Sequence, residues 1–381
     1  MKSTIISLGV FQDSGGPTKT IAAFKNAMEA ELFSFCDASE LHENPLAIPG
    51  AQAVVPVSSP ILKQLQYSTS RATAAAEVSF AESSIVSCHS FYRYHAIWVN
   101  KMSRKYGVPY WFVPHGVLDP WVMSKGKLVK NAYWQLGGAR FLKEAVTVIC
   151  ATKAERDKAA EHFDLPDADV LPWPVELVNV DQREEVRAAL RERLGIPNDA
   201  RVLLYFGRLH PMKQPLETIQ ALAASRARDI HLIVVGNEDG VSLRDCSEVA
   251  KISGVEAQVH FIGPVYGDEK YDYLLASDAY VSLSHRENFN HTAAESMAAG
   301  LPVVLSPGND LLSEIKEVGC FFEMESNSVE SAAEAIRRFS ETPIKEISQM
   351  GFCGRQWVAE FLSFERFKTQ LNALALKHAR K

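Results

Sequence analysis

The sequence predicts an α/β protein built as two halves, each a parallel sheet covered by helices. Short apolar runs of strand length alternate with helical periods along the whole chain, the pattern of repeated βα units. At 381 residues the chain is too long for one ordinary core. Pro166, Pro172, Pro174 and Pro197 crowd one stretch, so the boundary is expected near residues 172–178. The expected organisation is a first domain over 1–172, a second over 173–360, and a terminal helix over 361–381 that packs back on the first.

The first half opens with an apolar run at 4–10, a loop at 11–16 and a helical period at 18–30. The turn containing Gly15 and Gly16 lets backbone amides approach a phosphate at a helix start, although a plain tight turn reads the same way. Strands are expected at 32–35, 84–88, 110–114 and 147–150. His115 follows the strand at 110–114 at its carboxyl end, where open α/β sheets hold ligands, unless it only caps a loop. Residues 124–145 read as an ordinary helix over the sheet, broken at Gly137 and Gly138, or as an interfacial pair leaning on a membrane. The string Asp167-Ala168-Asp169 sits beside prolines and is expected to be a turn, not a metal site.

The second half starts with a strand at 201–206, followed at once by Gly207-Arg208 and, five residues on, Lys213. Arg208 can fork two donors onto a phosphate and Lys213 can place a point charge on the same group. Further strands are expected at 231–236, 258–262, 280–283, 303–305 and 320–322. After Pro343 the chain reads as helical over 344–381.

Residues 281–305 read as strand, loop, helix, stop and strand. Glu287 lies in the loop and Glu295 about one turn inside the helix, so both carboxylates can face the helix mouth. The amides of Asn288, Phe289, Asn290, His291 and Thr292 lie at or near the helix N-terminus, which favours an anion. A carboxylate accepts from paired hydroxyls, so the segment suits a ligand that is both polyol and anion, such as a nucleotide sugar. The plainer reading is a surface helix carrying two solvated acids.

In sequence order, the glycine turn, the string His115-Gly116-Val117-Leu118-Asp119-Pro120-Trp121, the pattern Gly207-Arg208-Leu209-x-x-x-Lys213 and the pair Glu287, seven residues, Glu295 resemble the retaining glycosyltransferases of family 4. The resemblance runs over nearly the whole chain. One departure stands out: family members often carry Gly-Phe-Gly where this chain has Asn288-Phe289-Asn290. The resemblance implies a GT-B fold, two Rossmann-like domains facing a cleft with a C-terminal helix crossing back to the first. It implies a retaining, metal-independent transfer from a nucleoside diphosphate sugar to the hydroxyl of a saccharide or lipid-linked saccharide, in surface polysaccharide or glycolipid assembly.

In that family the counterparts of Arg208 and Lys213 hold the diphosphate and the glycine turn lies close to it; His115, Arg208, Lys213 and Glu287 are the expected catalytic residues here, with Glu287 accepting from donor-sugar hydroxyls. The counterpart of His115 lies by the donor sugar, and the loop containing Val265 lies near the nucleobase. Glu295 is assigned to the ribose. A GT-B nucleotide-sugar epimerase and a non-catalytic nucleotide-sugar-binding protein remain the alternatives. No cofactor, metal or nucleic acid is expected.

Composition bounds the partners. Apolar content of 47% and charged content of 23% are those of a soluble globular protein. No window approaches the ~18 apolar residues of a membrane span, and the N-terminus shows no cleavage site, so a cytoplasmic protein is expected. The six cysteines are scattered and read as reduced. Residues 1–172 carry a net +1 and the remainder −7. Between Arg93 and Lys143, nine basic residues face one acid, Asp119, which suggests peripheral contact with an anionic membrane through the first domain.

Overall fold

The computed structural model describes residues 1–9, 16–42, 48–59, 62–63, 65–124 and 126–380. The chain divides into two compact units, Met1–Pro174 with Phe364–Lys381, and Val175–Ser363.

Among the described residues the first unit holds strands β1 (Ser3–Leu8), β2 (Glu31–Phe35), β3 (Ala51–Ala53), β4 (Ile85–His89), β5 (Tyr110–Val113), β6 (Thr147–Cys150) and β7 (Ala168–Val170). They pair in parallel in the order β3-β2-β1-β4-β5-β6-β7. Every residue of β4 and β5 is buried, as expected of a parallel sheet covered on both faces. Phe33, Phe80, Val86, Trp98, Phe112 and Phe141 form the core around them, each worth about 1.5–3 kcal/mol of transfer free energy when removed from water.

The sequence gives no sign of β3 and β7. Each is three residues long and lies at a sheet edge, too short to show a period. β7 also corrects the expected turn at 167–169, because Asp169 is paired with Ile149 as edge strand.

The second unit holds β8 (Arg201–Phe206), β9 (Ile230–Val235), β10 (Val259–Gly263), β11 (Ala279–Ser282), β12 (Val303–Leu305) and β13 (Phe321–Glu323). All are parallel, in the order β10-β9-β8-β11-β12-β13. In both sheets the strand order reverses once, between β1 and β4 and between β8 and β11. Loops leaving the carboxyl ends of such neighbours diverge to opposite faces and leave a crevice, the usual ligand position in an open α/β sheet.

The helical stretch expected over 344–381 is two helices. Ile344–Phe361 stays with the second unit, whereas Phe364–His378 belongs to the first. The helix ends at Leu362, whose φ of −113° and ψ of 14° leave helical geometry. Ser363 follows, a residue type that favours helix starts over interiors. Within the first unit, the Phe367 ring meets that of Phe24 at 5.3 Å, and Trp111 Nε1 donates to His378 Nδ1 at 3.1 Å.

The stretch read as an ordinary helix over 124–145 is also broken. It forms Lys127–Tyr133, a π-turn at Trp134–Gly138 where Gly137 has φ 147°, and Ala139–Glu144. Leu128, Val129 and Leu136 are 86, 68 and 77% exposed, so part of its apolar surface faces outward. No helix among the described residues is long and apolar enough to cross a membrane.

Candidate functional site

The second unit places its chemistry on the loops that leave β8 and β11, the two strands at the reversal. After β8 the backbone runs very close to the loop after β9, so close that a Cβ on Gly236 would stand 1.8 Å from Gly207 O. Gly207 N–H donates to Val235 O at 2.9 Å and Leu209 N–H to Asn237 O at 2.8 Å. This zipped pair of loops carries Arg208, half-exposed, against the carboxylate of Asp239.

Two residues after Arg208, His210 Nδ1 accepts from Met212 N–H at 3.0 Å and Pro211 opens the tight turn Pro211–Lys213. Proline suits that first position because its missing donor would be unpaired anyway. The turn aims Lys213 at Glu287, and the ammonium donates to Glu287 Oε1. Ser284 Oγ donates to the same oxygen at 2.9 Å.

The backbone of Glu287 is clamped on both sides. Its N–H donates to Gly308 O at 2.8 Å and its carbonyl accepts from Asp310 N–H at 2.9 Å. Gly308 is required there, since a Cβ would stand 2.3 Å from His285 O. His285 N–H donates to Met212 O at 2.9 Å, tying the loops after β8 and β11 together.

Burial and the Arg208 guanidinium pull the Lys213 ammonium down from its ordinary value to about 7, while the Glu287 carboxylate against it favours the charged form. The pair therefore sets a cation that titrates near neutrality beside a clamped carboxylate.

The helix His291–Ala298 begins at Asn290, whose backbone is left-handed at φ 54° and ψ 69°. Asparagine tolerates this conformation better than most residues, which explains how it replaces glycine here. It also does what glycine cannot: Asn290 Oδ1 accepts from Ala293 N–H at 3.1 Å, and Nδ2 donates to Asn309 Oδ1 at 2.6 Å. The amide is thus engaged with the protein. Phe289 is buried, its ring 5.0 Å from that of His291 at 70°, which anchors the loop. Asn288 and Thr292 are partly exposed in the same turn, where the helix dipole favours an anion.

On the same helix, Glu295 Oε1 accepts from Lys270 Nζ at 2.9 Å. Among the residues singled out from sequence, Lys213 and Glu287 therefore meet directly. Arg208 and Glu295 each have a charged partner, Asp239 and Lys270, that sequence reading did not single out. Neither partner lies at a telling spacing from the residue it meets, so no local pattern could have found it. Val265 is half-exposed on the loop after β10.

In the first unit, His115 leaves β5 with φ 53° and Gly116 follows with φ 76°. Gly116 N–H donates to Glu155 Oε1 at 2.6 Å, and Ala151 N–H to Glu155 Oε2 at 2.7 Å, so a buried carboxylate pins this turn. Burial lowers the His115 pKa to about 3, which keeps the ring neutral at ordinary pH. Gly16 opens the helix Gly16–Met28, and Thr20 Oγ1 donates to its carbonyl at 3.3 Å. Gly15 lies outside the described residues.

Two parallel-sheet Rossmann-like units with these connections are the GT-B fold. The Anabaena protein HepE in complex with UDP matches with a TM-score of 0.78 at 16% identity, over 99% of this chain and 100% of that one. Sucrose-phosphate synthase from Thermosynechococcus elongatus matches at 0.73 and 18% identity, over 99% of each chain. Residues 186–357 match the family model described as glycosyl transferases group 1. The D-inositol 3-phosphate glycosyltransferase of Streptomyces griseus is 26% identical over 274 residues, 65% of this chain and 58% of that protein. The protein of the same name from Salinispora arenicola is 31% identical over 202 residues, 48% of this chain and 44% of that one. The chain spans 58–60% of the length of the first curated relatives it matches. The residues that this family model matches lie within the second unit.

Proposed function

We propose that this protein transfers a sugar from a nucleoside diphosphate sugar to an acceptor hydroxyl, with retention of configuration and without a metal ion. The observation that carries the reading is the meeting of Lys213 and Glu287 from the loops leaving β8 and β11, the strands at the topological reversal, with Arg208 on the same β8 loop near enough to act on the Lys213 ammonium.

As the glycosidic bond breaks, negative charge builds on the leaving diphosphate. Arg208, Lys213 and the amide at Thr292 are the groups of the second unit that stabilise it. Glu287, held by Ser284 and its clamped backbone, accepts from donor-sugar hydroxyls, and Glu295 from the ribose. His115 of the first unit is a neutral hydrogen-bonding group for a sugar hydroxyl. The leaving phosphate can itself take the acceptor proton, so no carboxylate nucleophile is invoked. Asn290 acts here through its left-handed backbone.

UDP-sugars are the first donors to test, because HepE has been crystallised with UDP and with UDP-glucose. The acceptor class is a saccharide or lipid-linked saccharide at the inner face of a membrane. The first unit would approach that membrane through Lys127, Lys130, Arg140 and Lys143 with the outward Leu128, Val129 and Leu136.

A thermal-shift screen of UDP- and GDP-sugars followed by product analysis tests the reading. The expected result is stabilisation by at least one donor and transfer, with a retained anomeric configuration, in the presence of EDTA. Conversion of the donor alone into an isomer would favour an epimerase. Tight donor binding with no product, unchanged by Glu287→Gln, would favour a binding protein. A chain stabilised by none of them would remove the reading altogether.

A further inference from the structure

β4 ends at His89, a fully buried histidine that the reaction just described does not use. Its Nδ1 lies 3.0 Å from Nε2 of His115, and its Nε2 lies 3.2 Å from Ser87 Oγ on the same strand. The two imidazoles stack at 5.2 Å and 28°. Phe24 meets the His89 ring edge-on at 4.8 Å, Trp173 lies 5.8 Å from His115, and His95 Nε2 bonds the His89 carbonyl at 3.1 Å. Packing thus holds both rings in place, and the His89 contact occupies one of the two nitrogens of His115.

Burial keeps both rings neutral, since the pKa of His89 is also driven well below its ordinary value by desolvation and by His115. Two neutral imidazoles that share one hydrogen bond cannot choose their tautomers independently. When His89 Nδ1–H donates to His115 Nε2, the proton of His115 sits on Nδ1, and His89 Nε2 accepts from the Ser87 hydroxyl. When His115 Nε2–H donates instead, its Nδ1 is a bare acceptor and His89 Nε2–H donates to Ser87 Oγ. A hydroxyl both donates and accepts, so Ser87 satisfies either state. Neither state changes the net charge.

We propose that Ser87 and His89 are positioning residues that engage His115 Nε2, commit Nδ1 to a hydroxyl of the transferred sugar, and set whether it donates or accepts. This rests on the glycosyl-transfer reading for its consequence in turnover, but the tautomer coupling is a property of the free protein. Each part therefore has its own readout.

The experiment compares wild type with His89→Leu, His89→Asn and Ser87→Ala. It measures kcat and donor KM, and records histidine 15N shifts, which report the tautomer. Asparagine keeps a donor and acceptor amide close to the position of Nδ1, whereas leucine keeps only bulk. The expected result is a fall in kcat of about 10–100-fold for His89→Leu, by analogy with the loss when the hydrogen-bonded partner that orients a metal-binding histidine is removed. Donor KM should change by less than about threefold, His115 should shift toward a different tautomer mixture, and His89→Asn should recover most of the rate. Ser87→Ala should shift the same 15N signals, which keeps the idea testable if leucine prevents folding. Unchanged His115 signals in Ser87→Ala and His89→Asn, or a folded His89→Leu with wild-type kcat, would overturn the proposal. Were His115→Ala itself fully active, the catalytic reading of His115 would fall while the spectra still decided the coupling.

Discussion

Lys270 holds Glu295 across 2.9 Å, and both side chains are more than four-fifths buried, at 18 and 12% exposure. Removing the cation leaves a carboxylate with less than its full hydration and without that partner. Lys270→Met should therefore lower stability by about 1–3 kcal/mol. Adding Glu295→Gln should recover part of that loss, and a urea double-mutant cycle is the measurement. Strict additivity of the two substitutions would show that the pair has no coupling.

Arg208 presents a planar fork that lysine cannot reproduce. Arg208→Lys should weaken donor binding about tenfold, and Arg208→Ala about 10–100-fold, because a charge-assisted bond to phosphate is worth about 1.5–3 kcal/mol. Calorimetric titration with the nucleoside diphosphate measures this without turnover. Equal affinity for all three proteins would remove Arg208 from the diphosphate site.

The lowered pKa of Lys213 has consequences of opposite sign for binding and for stability. In the free protein the ammonium loses its proton as pH rises through about 7, so donor affinity should fall above that pH. Between about 7 and the ordinary lysine value near 10.4 the unfolded chain binds more protons than the folded one, so this residue's contribution to stability should rise with pH. Lys213→Arg, charged throughout, should flatten both profiles. A donor Kd independent of pH from 6 to 9 in wild type would contradict the lowered value.

Asn290 combines a left-handed backbone with a helix cap and a buried amide network. Asn290→Ala loses the cap, worth about 1 kcal/mol, and adds left-handed strain of about 1–2 kcal/mol. Asn290→Gly relieves the strain but still loses the buried bonds. Melting temperatures should rank wild type above glycine and glycine above alanine. An alanine variant as stable as wild type would mean that the turn relaxes to ordinary φ.

The exposed apolar residues of the first unit offer a membrane test. Leu128→Glu with Leu136→Glu should reduce co-sedimentation with vesicles containing phosphatidylserine and leave donor affinity unchanged. Binding that survives the pair of substitutions would place any contact elsewhere.

Much of the second sheet was legible, because its strands are apolar runs bounded by turn residues and its charged groups follow strand ends within a few residues. Residues 201–206 and 303–305 match β8 and β12 at both ends. What escaped was set by tertiary pairing. β3 and β7 exist because a neighbouring edge supplies hydrogen bonds, not because three residues prefer to be extended. Lys270 and Asp239 matter through partners 25 and 31 residues away, and sequence spacing carries no trace of such a meeting. His89 falls one residue beyond the strand expected at 84–88, and only the fold sets it against the His115 ring.

The unit that begins the sequence is interrupted: its last helix, Phe364–His378, arrives only after the whole of Val175–Ser363. During folding the first unit cannot complete its core from a continuous stretch: the Phe367 ring that packs on Phe24 must be brought back across the whole of Val175–Ser363, and until it docks that part of the Phe24 surface is open to aggregation.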